Sequence, residues 1–193
     1  MDDLILTDEF EWFDQERYDR MPDEASTVKR EFLPNGTYIK LQDLSVGSKS
    51  KEGEKFYTAI PKDSYFMLRK TYYPSGRIRS KGWAFTDFFE KGVWPNFDDG
   101  GNLTLKWDYD KPFTYTFDDV LGFCQRNNIK VSKSTGEWVY GFRTKIKRAA
   151  DATGDICGWR IEYLKRDDLI EYIFLDGKTG EITGRKTMDY SPG

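Results

Sequence analysis

Apolar and polar residues alternate over much of this 193-residue chain, which is the period of an antiparallel strand with one buried face. Leu103, Leu105 and Trp107 stand at every second position and predict a half-buried strand. Residues 159–163 show the same alternation, and residues 169–175 predict one continuous strand. These segments predict antiparallel strands.

Turn sequences separate many of these segments. Pro-Asn-Gly at residues 34–36, Pro-Ser-Gly at 74–76 and Asp-Asp-Gly-Gly at 98–101 each join two strand candidates. Residues 176–180, Asp-Gly-Lys-Thr-Gly, form a fourth turn signal. Proline presets one turn dihedral and glycine accepts the positive φ that follows, so each signal predicts a β-hairpin. Repeated hairpins favour a scaffold that displays a surface over one that performs a chemical step.

One segment has a helical period. Val120, Leu121 and Cys124 share a face within residues 117–128, Thr116 can cap the N-terminus, and acidic residues follow it. A second, short helix is predicted before Met21. We therefore predict an α+β fold: antiparallel, hairpin-rich sheets with one main helix near 117–128.

The strand pattern is interrupted at Asp110-Lys111-Pro112. This break divides the chain into a hairpin-rich region, residues 1–112, and a region of one helix and antiparallel strands, residues 113–193. The two regions could also pack as one compact body.

The chain contains no histidine, and its two cysteines do not form a CxxC pair. Without histidine there is no Ser-His or Cys-His nucleophile pair, and the usual nitrogen ligand of zinc is missing. No glycine-rich phosphate loop is present. We predict no catalytic residue, metal site or cofactor. Carboxylate-only hydrolysis stays open, but acid pairs such as Asp98-Asp99 are adjacent and would point to opposite faces of a strand.

The net charge of −3 hides an asymmetry. Residues 1–27 carry ten acidic side chains against two basic ones, and residues 87–119 carry eight against three. This balance argues against nucleic acid and anionic lipid as partners and suits a basic protein. A basic run at residues 143–148 is interpreted as a solvated strand face. The chain has no apolar stretch of membrane-spanning length and no basic leader, which predicts a cytoplasmic protein.

Two hairpin units resemble the variant MORN repeats of bacterial antitoxin-like proteins. The resemblance implies hairpins stacked side by side into a long sheet. The residues that match are Tyr72, Tyr73, Pro74, Gly76, Ile78, Gly82, Gly92, Trp94, Phe97, Gly101 and Leu103. The repeats are unevenly spaced, so the array is degenerate or interrupted.

The closing strands, residues 158–163 and 172–182, are similar to those of the PepSY-like module, whose helix would correspond to 117–128. PepSY modules are usually exported, and this chain shows no signal sequence. The resemblance therefore implies a shape for this region and no function.

Proteins that combine such hairpins with an acidic surface resemble immunity proteins, which neutralise a toxin by binding it. The resemblance implies a non-catalytic inhibitor of a cognate toxin with a basic surface. The alternatives are a structural or membrane-associated scaffold and, less favoured, a carboxylate-based hydrolase. The aromatic and acidic residues around the 86–91 connection are the predicted partner-binding patch. They are Asp87, Phe88, Phe89, Glu90, Trp94, Asp98 and Asp99.

Overall fold

A computed structural model describes residues 4–25, 27–46, 53–86, 88–134 and 142–191, which form two helices and thirteen strands. The helices are α1 (Gln15–Arg20) and α2 (Phe117–Arg126). The strands are β1 (Asp23–Ala25), β2 (Val28–Phe32), β3 (Tyr38–Asp43), β4 (Lys55–Ile60), β5 (Met67–Tyr72), β6 (Ile78–Phe85), β7 (Phe89–Lys91), β8 (Val93–Phe97), β9 (Leu103–Asp108), β10 (Lys145–Ala150), β11 (Cys157–Arg166), β12 (Leu169–Asp176) and β13 (Ile182–Asp189).

The predicted α+β class is wrong, because the chain is mostly β-structure, with 46% strand and 9% helix. The predicted main helix is present as α2, where Thr116 and Asp119 form a reciprocal capping box. Its ten residues are too few to form a helical layer beside two sheets. Nearly all other regular structure follows the period of two and pairs with its neighbour along the chain, which yields a β-rich fold. Within the described residues, no helix has the length and apolar character needed to cross a membrane.

The chain divides into two compact units. The first comprises residues 1–86, 90–109 and 133–137, and the second comprises residues 87–89, 110–132 and 138–193. The division predicted at residue 112 falls in the connection between β9 and α2. Each unit contains one antiparallel sheet.

The sheet of the first unit has the strand order β1-β2-β3-β4-β5-β6-β8-β9, with β7 also paired to β6. Three of its hairpins contain the turns that the sequence predicts, and the three turns share one hydrogen-bond pattern. In the loop from Leu33 to Thr37, Leu33 N donates to Thr37 O and the amide of the fourth residue, Gly36, donates back to Leu33 O. The loops 73–77 and 98–102 repeat both bonds. The fourth residue of each loop is a left-handed glycine, namely Gly36, Gly76 and Gly101, whose φ values are 81°, 86° and 87°.

The core of the first unit lies on one face of this sheet. Ile39, Leu41 and Leu68 are fully buried there. Phe13 and Tyr18, which precede the first strand in the chain, belong to the same core cluster. The N-terminal segment, residues 4–14, crosses this face and adds an isolated bridge between Trp12 and Arg77. Residues that precede the first strand therefore complete the core.

The sheet of the second unit has the order β10-β11-β12-β13, and each strand pairs with the next. Trp159 and Ile161 are buried on one face, where Phe117 at the start of α2 contacts Trp159 at 6.4 Å between ring centroids. Val120 and Cys124 of α2 are buried as well. The predicted apolar stripe is confirmed for Phe117, Val120 and Cys124, whereas Leu121 is half-buried and Phe123 is buried in addition.

The basic run does not form one solvated face. Arg148 lies opposite Trp159 in the strand register, so it alternates with Lys147 and points to the core side of the sheet. Its guanidinium pairs with Asp110 at 2.7 Å and stands 4.8 Å from the ring centroid of Phe89. The interpretation as solvated charge is therefore wrong for this residue.

Candidate protein-binding surface

β9 is the last strand in the order of its sheet and, among the described residues, pairs with β8 alone. All six of its residues are exposed, and three of them are large and apolar. Leu103, Leu105 and Trp107 have 43%, 51% and 51% of their surface exposed. We call these three residues the β9 surface. Exposed apolar side chains grouped on one edge strand are unusual and mark candidate interaction sites.

The packing of β8 explains why Trp107 is left exposed. Trp94 lies directly opposite Trp107 in the register but is 7% exposed, because its indole occupies the space beside Gly82 on β6. The indole N–H of Trp94 donates to the carbonyl of Trp83 at 3.2 Å. Tyr109 contacts both tryptophans edge to face, at 6.1 Å from Trp94 and 6.3 Å from Trp107. Trp107 therefore contacts the ring of Tyr109 and keeps about half of its surface exposed.

The turn that leads into β9 is organised by two acidic side chains. The carboxylate of Asp98 accepts from the backbone N–H of Asn102 at 2.8 Å and from its side-chain amide at 3.1 Å. These hydrogen bonds lower the pKa of Asp98. Asp99 accepts from the hydroxyl of Ser75 at 2.8 Å, which joins this turn to the turn at residues 73–77. Both residues carry negative charge at this end of the β9 surface.

The charged residues of β9 lie on the opposite face of the strand from the three apolar residues. Lys106 lies on β9, but its ammonium forms an ion pair with Asp8 of the N-terminal segment. Asp108 is exposed at the other end of the strand. Lys106 and Asp108 alternate with the three apolar residues and so point to the other face of β9. The β9 surface is therefore an apolar strip with the carboxylates of Asp98 and Asp99 at one end.

The described residues of the predicted patch differ in burial and in the unit to which they belong. Asp87 lies outside the described residues. Phe88 and Phe89 belong to the second unit, where Phe89 is buried, whereas Glu90 is half-buried in the first unit. Trp94 is buried against Gly82, as described above. Of the aromatic members, Phe88 alone retains partial exposure.

The β9 surface itself was predicted to be half-buried. Alternation of apolar and polar residues looks the same in a strand that packs on a core and in one whose apolar side stays in water. The two cases differ in whether the strand is the last one of its sheet. That position depends on how the strands pair and not on the local sequence. The resemblance to hairpin repeats placed Leu103 in a strand and could not predict its exposure.

Part of the N-terminal acidic charge is used inside the first unit. Glu11 contacts Lys70 at 2.8 Å and Lys81 at 3.5 Å, and Lys81 also donates to the carbonyl of Glu9 at 2.7 Å. Asp8 pairs with Lys106. Lys81 is only 2% exposed, so these contacts supply the counter-charge of a buried ammonium. The acidic segment is a structural part of the protein as well as a source of negative charge.

The lining residues of two cavities can be compared with the paired acids that a carboxylate-based hydrolase needs. One, of about 520 Å³, lies in the second unit, and the other, of about 360 Å³, lies in the first beside Phe66, Trp83 and Lys91. Neither has an aspartate or glutamate among its described lining residues. A carboxylate-based hydrolase requires two acids facing each other across a cleft, so neither cavity supports that alternative.

The cysteines also lack the features of a nucleophile. Cys124 is buried in α2, and burial raises the pKa of its thiol to about 12. Burial likewise raises the pKa of Cys157, whose thiol contacts the carbonyl of Pro112 at 3.1 Å. Both thiols therefore stay protonated at neutral pH and serve the packing of the second unit.

Comparison of the chain with protein-family models, with curated proteins and with solved structures finds no match.

Proposed function

We propose that this protein is a non-catalytic, protein-binding inhibitor of the immunity-protein or antitoxin class, acting in the bacterial cytoplasm against a cognate toxin. The observation that carries the proposal is the β9 surface. It combines a tryptophan and two leucines, all at least two-fifths exposed, on one edge strand. Tryptophan is enriched among the residues that dominate protein interfaces.

The charge around the β9 surface supports a basic partner. Asp98 and Asp99 lie in the turn at one end of the apolar strip. An apolar centre with a charged rim is the usual anatomy of a protein interface, and complementary charge speeds the encounter of the two proteins. The inhibitor class itself follows from the resemblance to antitoxin-like hairpin proteins.

The outer edge of β9, to which no other described strand is paired, also offers backbone donors and acceptors. An extended segment of the toxin could pair with β9 as an added strand, while Leu105 and Trp107 contact its side chains. This mode of binding needs no catalytic group on the inhibitor and blocks the toxin by occupying its surface.

The test begins with affinity capture of the tagged protein's partner from its native bacterium and identification by mass spectrometry. The captured protein is then purified, its toxic activity is assayed, and the inhibitor is titrated against it. We expect one stoichiometric partner whose activity falls as this protein is added. A partner that retains full activity at saturating inhibitor would contradict the proposal.

Variants locate the interface. Leu105→Asp places a charge in the centre of the β9 surface, and we expect at least a tenfold loss of affinity for the toxin, since hot-spot changes cost about 2 kcal/mol or more. Ile156→Asp is the matched control, because Ile156 is 76% exposed and lies in the second unit. Equal binding by the two variants would show that the β9 surface is not the interface.

A further inference from the structure

We propose that the 520 Å³ cavity of the second unit binds a small molecule that carries a phosphate group. This site is separate from the β9 surface, and its test does not require the toxin. The cavity is bounded by residues 127–132 after α2, residues 142–144 before β10, and residues 163–165 of β11. Its volume is in the range of small-molecule sites, about 300–1,000 Å³.

The loop after α2 is held in a defined conformation. Asn127 N donates to Phe123 O at 3.1 Å, and Ile129 N donates to Cys124 O at 2.8 Å. Asn128 has a left-handed φ of 55°, which reverses the chain at the end of the helix. The carbonyls of Phe123 and Cys124 near the end of α2 therefore accept from donors of the loop itself, which fixes the position of the loop.

A second contact fixes the opposite wall. The hydroxyl of Thr144 donates to the backbone carbonyl of Lys130 at 2.7 Å, and it joins the segment before β10 to the loop after α2. Ile129 is buried beside it. The bond involves the main chain of Lys130, so the ammonium side chain can be removed without breaking this wall.

The lining of the cavity is cationic although the protein as a whole is acidic. Lys130, Arg143 and Lys165 all line it, and its described lining residues include no aspartate or glutamate. Two ammonium groups and a guanidinium around one concave space produce a positive potential that attracts an anion. Guanidinium and ammonium groups form charge-assisted hydrogen bonds with phosphate oxygens.

One carboxylate lies behind this lining without cancelling its charge. Glu171 is buried and accepts from Lys165 at 3.2 Å and from the phenol of Tyr163. Arg185 pairs with the same carboxylate at 3.4 Å. Since Glu171 is shared between Lys165 and Arg185, its single charge does not neutralise both cations.

The remaining lining groups suit an organic phosphate better than a bare ion. Asn128 and Ser132 add polar groups, and the ring of Phe142 forms an apolar wall. Phe142 is itself held by an edge contact with Tyr190 at 5.6 Å between ring centroids. A ligand with a phosphate and a planar or apolar group would use both parts of the cavity.

Isothermal titration calorimetry with pyrophosphate, adenosine 5′-monophosphate and adenosine tests the proposal on the full-length protein. We expect saturable one-to-one binding of the monophosphate or of pyrophosphate and none of adenosine. Lys130→Ala and Arg143→Ala should each weaken that binding by about tenfold, because each removes a charged partner of the phosphate. Lys111→Ala is the matched control, since it removes the same charge from an exposed position that does not line the cavity.

Thermal unfolding of each variant verifies that it is folded before titration. No saturable binding of either phosphorylated probe at millimolar concentration would overturn the proposal. So would adenosine binding as tightly as its monophosphate, or an equal loss of affinity in Lys111→Ala and Lys130→Ala.

Discussion

Glu11 is expected to stabilise the first unit by supplying the counter-charge of two lysines, and Glu11→Gln tests this directly. Lys70 and Lys81 face each other across β5 and β6, and both contact the Glu11 carboxylate, at 2.8 and 3.5 Å. Glutamine keeps the size of the side chain. The backbone carbonyl of residue 11, which accepts from Ile78 N at 3.0 Å, is also retained. The substitution therefore removes charge and little else.

The expected loss follows from the geometry. At these separations and an effective dielectric constant of about 20, each ion pair is worth about 5 kcal/mol before desolvation is counted. Removing one partner of a buried pair costs about 3–5 kcal/mol, because the other charge remains buried. Lys81 is 2% exposed but keeps its bond to Glu9 O, and the Glu11 side chain is 29% exposed. Because water screens part of the ion-pair interaction, we expect Glu11→Gln to lower the free energy of unfolding by about 3 kcal/mol, near the lower end of the range.

The pH dependence supplies an independent readout. Burial lowers the pKa of Lys81, and the Glu11 charge opposes that shift. Glu11→Gln should lower the pKa of Lys81 further. Between the folded pKa and the unfolded pKa near 10.5, the unfolded chain binds more protons than the folded chain, so stability rises with pH in this window. The stability gap between the variant and the wild type should therefore narrow between pH 7 and pH 9.5.

Urea denaturation at both pH values measures these quantities. Glu16→Gln is the control, since Glu16 and Arg20 form an exposed pair at 4.0 Å and its loss should cost less than about 0.5 kcal/mol. A Glu11→Gln loss as small as that of the control, or a gap that stays constant with pH, would refute the argument.

Two glycines permit opposite predictions about stability. Gly82→Ala would place a methyl group into the indole of Trp94. We expect the free energy of unfolding, measured by urea denaturation, to fall by about 3 kcal/mol, in the upper range for overpacking. A fall of less than about 0.5 kcal/mol would contradict this packing. Gly122→Ala lies within α2, where the nearest atom to the new methyl is the mobile guanidinium of Arg126 at 3.2 Å. We expect a gain of about 1 kcal/mol in the same assay, and a loss would show that Arg126 cannot move.

Local features of the fold were predictable because they depend on few neighbouring residues. The three glycine turns at 36, 76 and 101 and the Thr116 cap of α2 each need only a residue with the right dihedral or hydrogen-bonding group. Strand periods could be read from alternation for the same reason. The balance between helix and strand was misjudged because one well-signalled helix of ten residues received as much weight as many strands.

The candidate surface could not be predicted in this way, because burial depends on residues distant in the chain. Trp94 and Trp107 are directly opposed on neighbouring strands, yet one is buried and the other exposed. The difference comes from Gly82 on β6, which makes room for Trp94, and from the end of the sheet beyond β9.

For the charged residues, too, the sequence determines some properties and the tertiary structure decides the others. Composition establishes that the first residues are strongly acidic, but it cannot show that Glu11 meets two lysines some sixty to seventy residues further along the chain. Arg148 belongs to a basic run in the sequence and is buried against Asp110 in the fold. Period and turn chemistry are encoded within a few residues, whereas the environment of a side chain is set by long-range pairing of strands, which brings distant residues into contact.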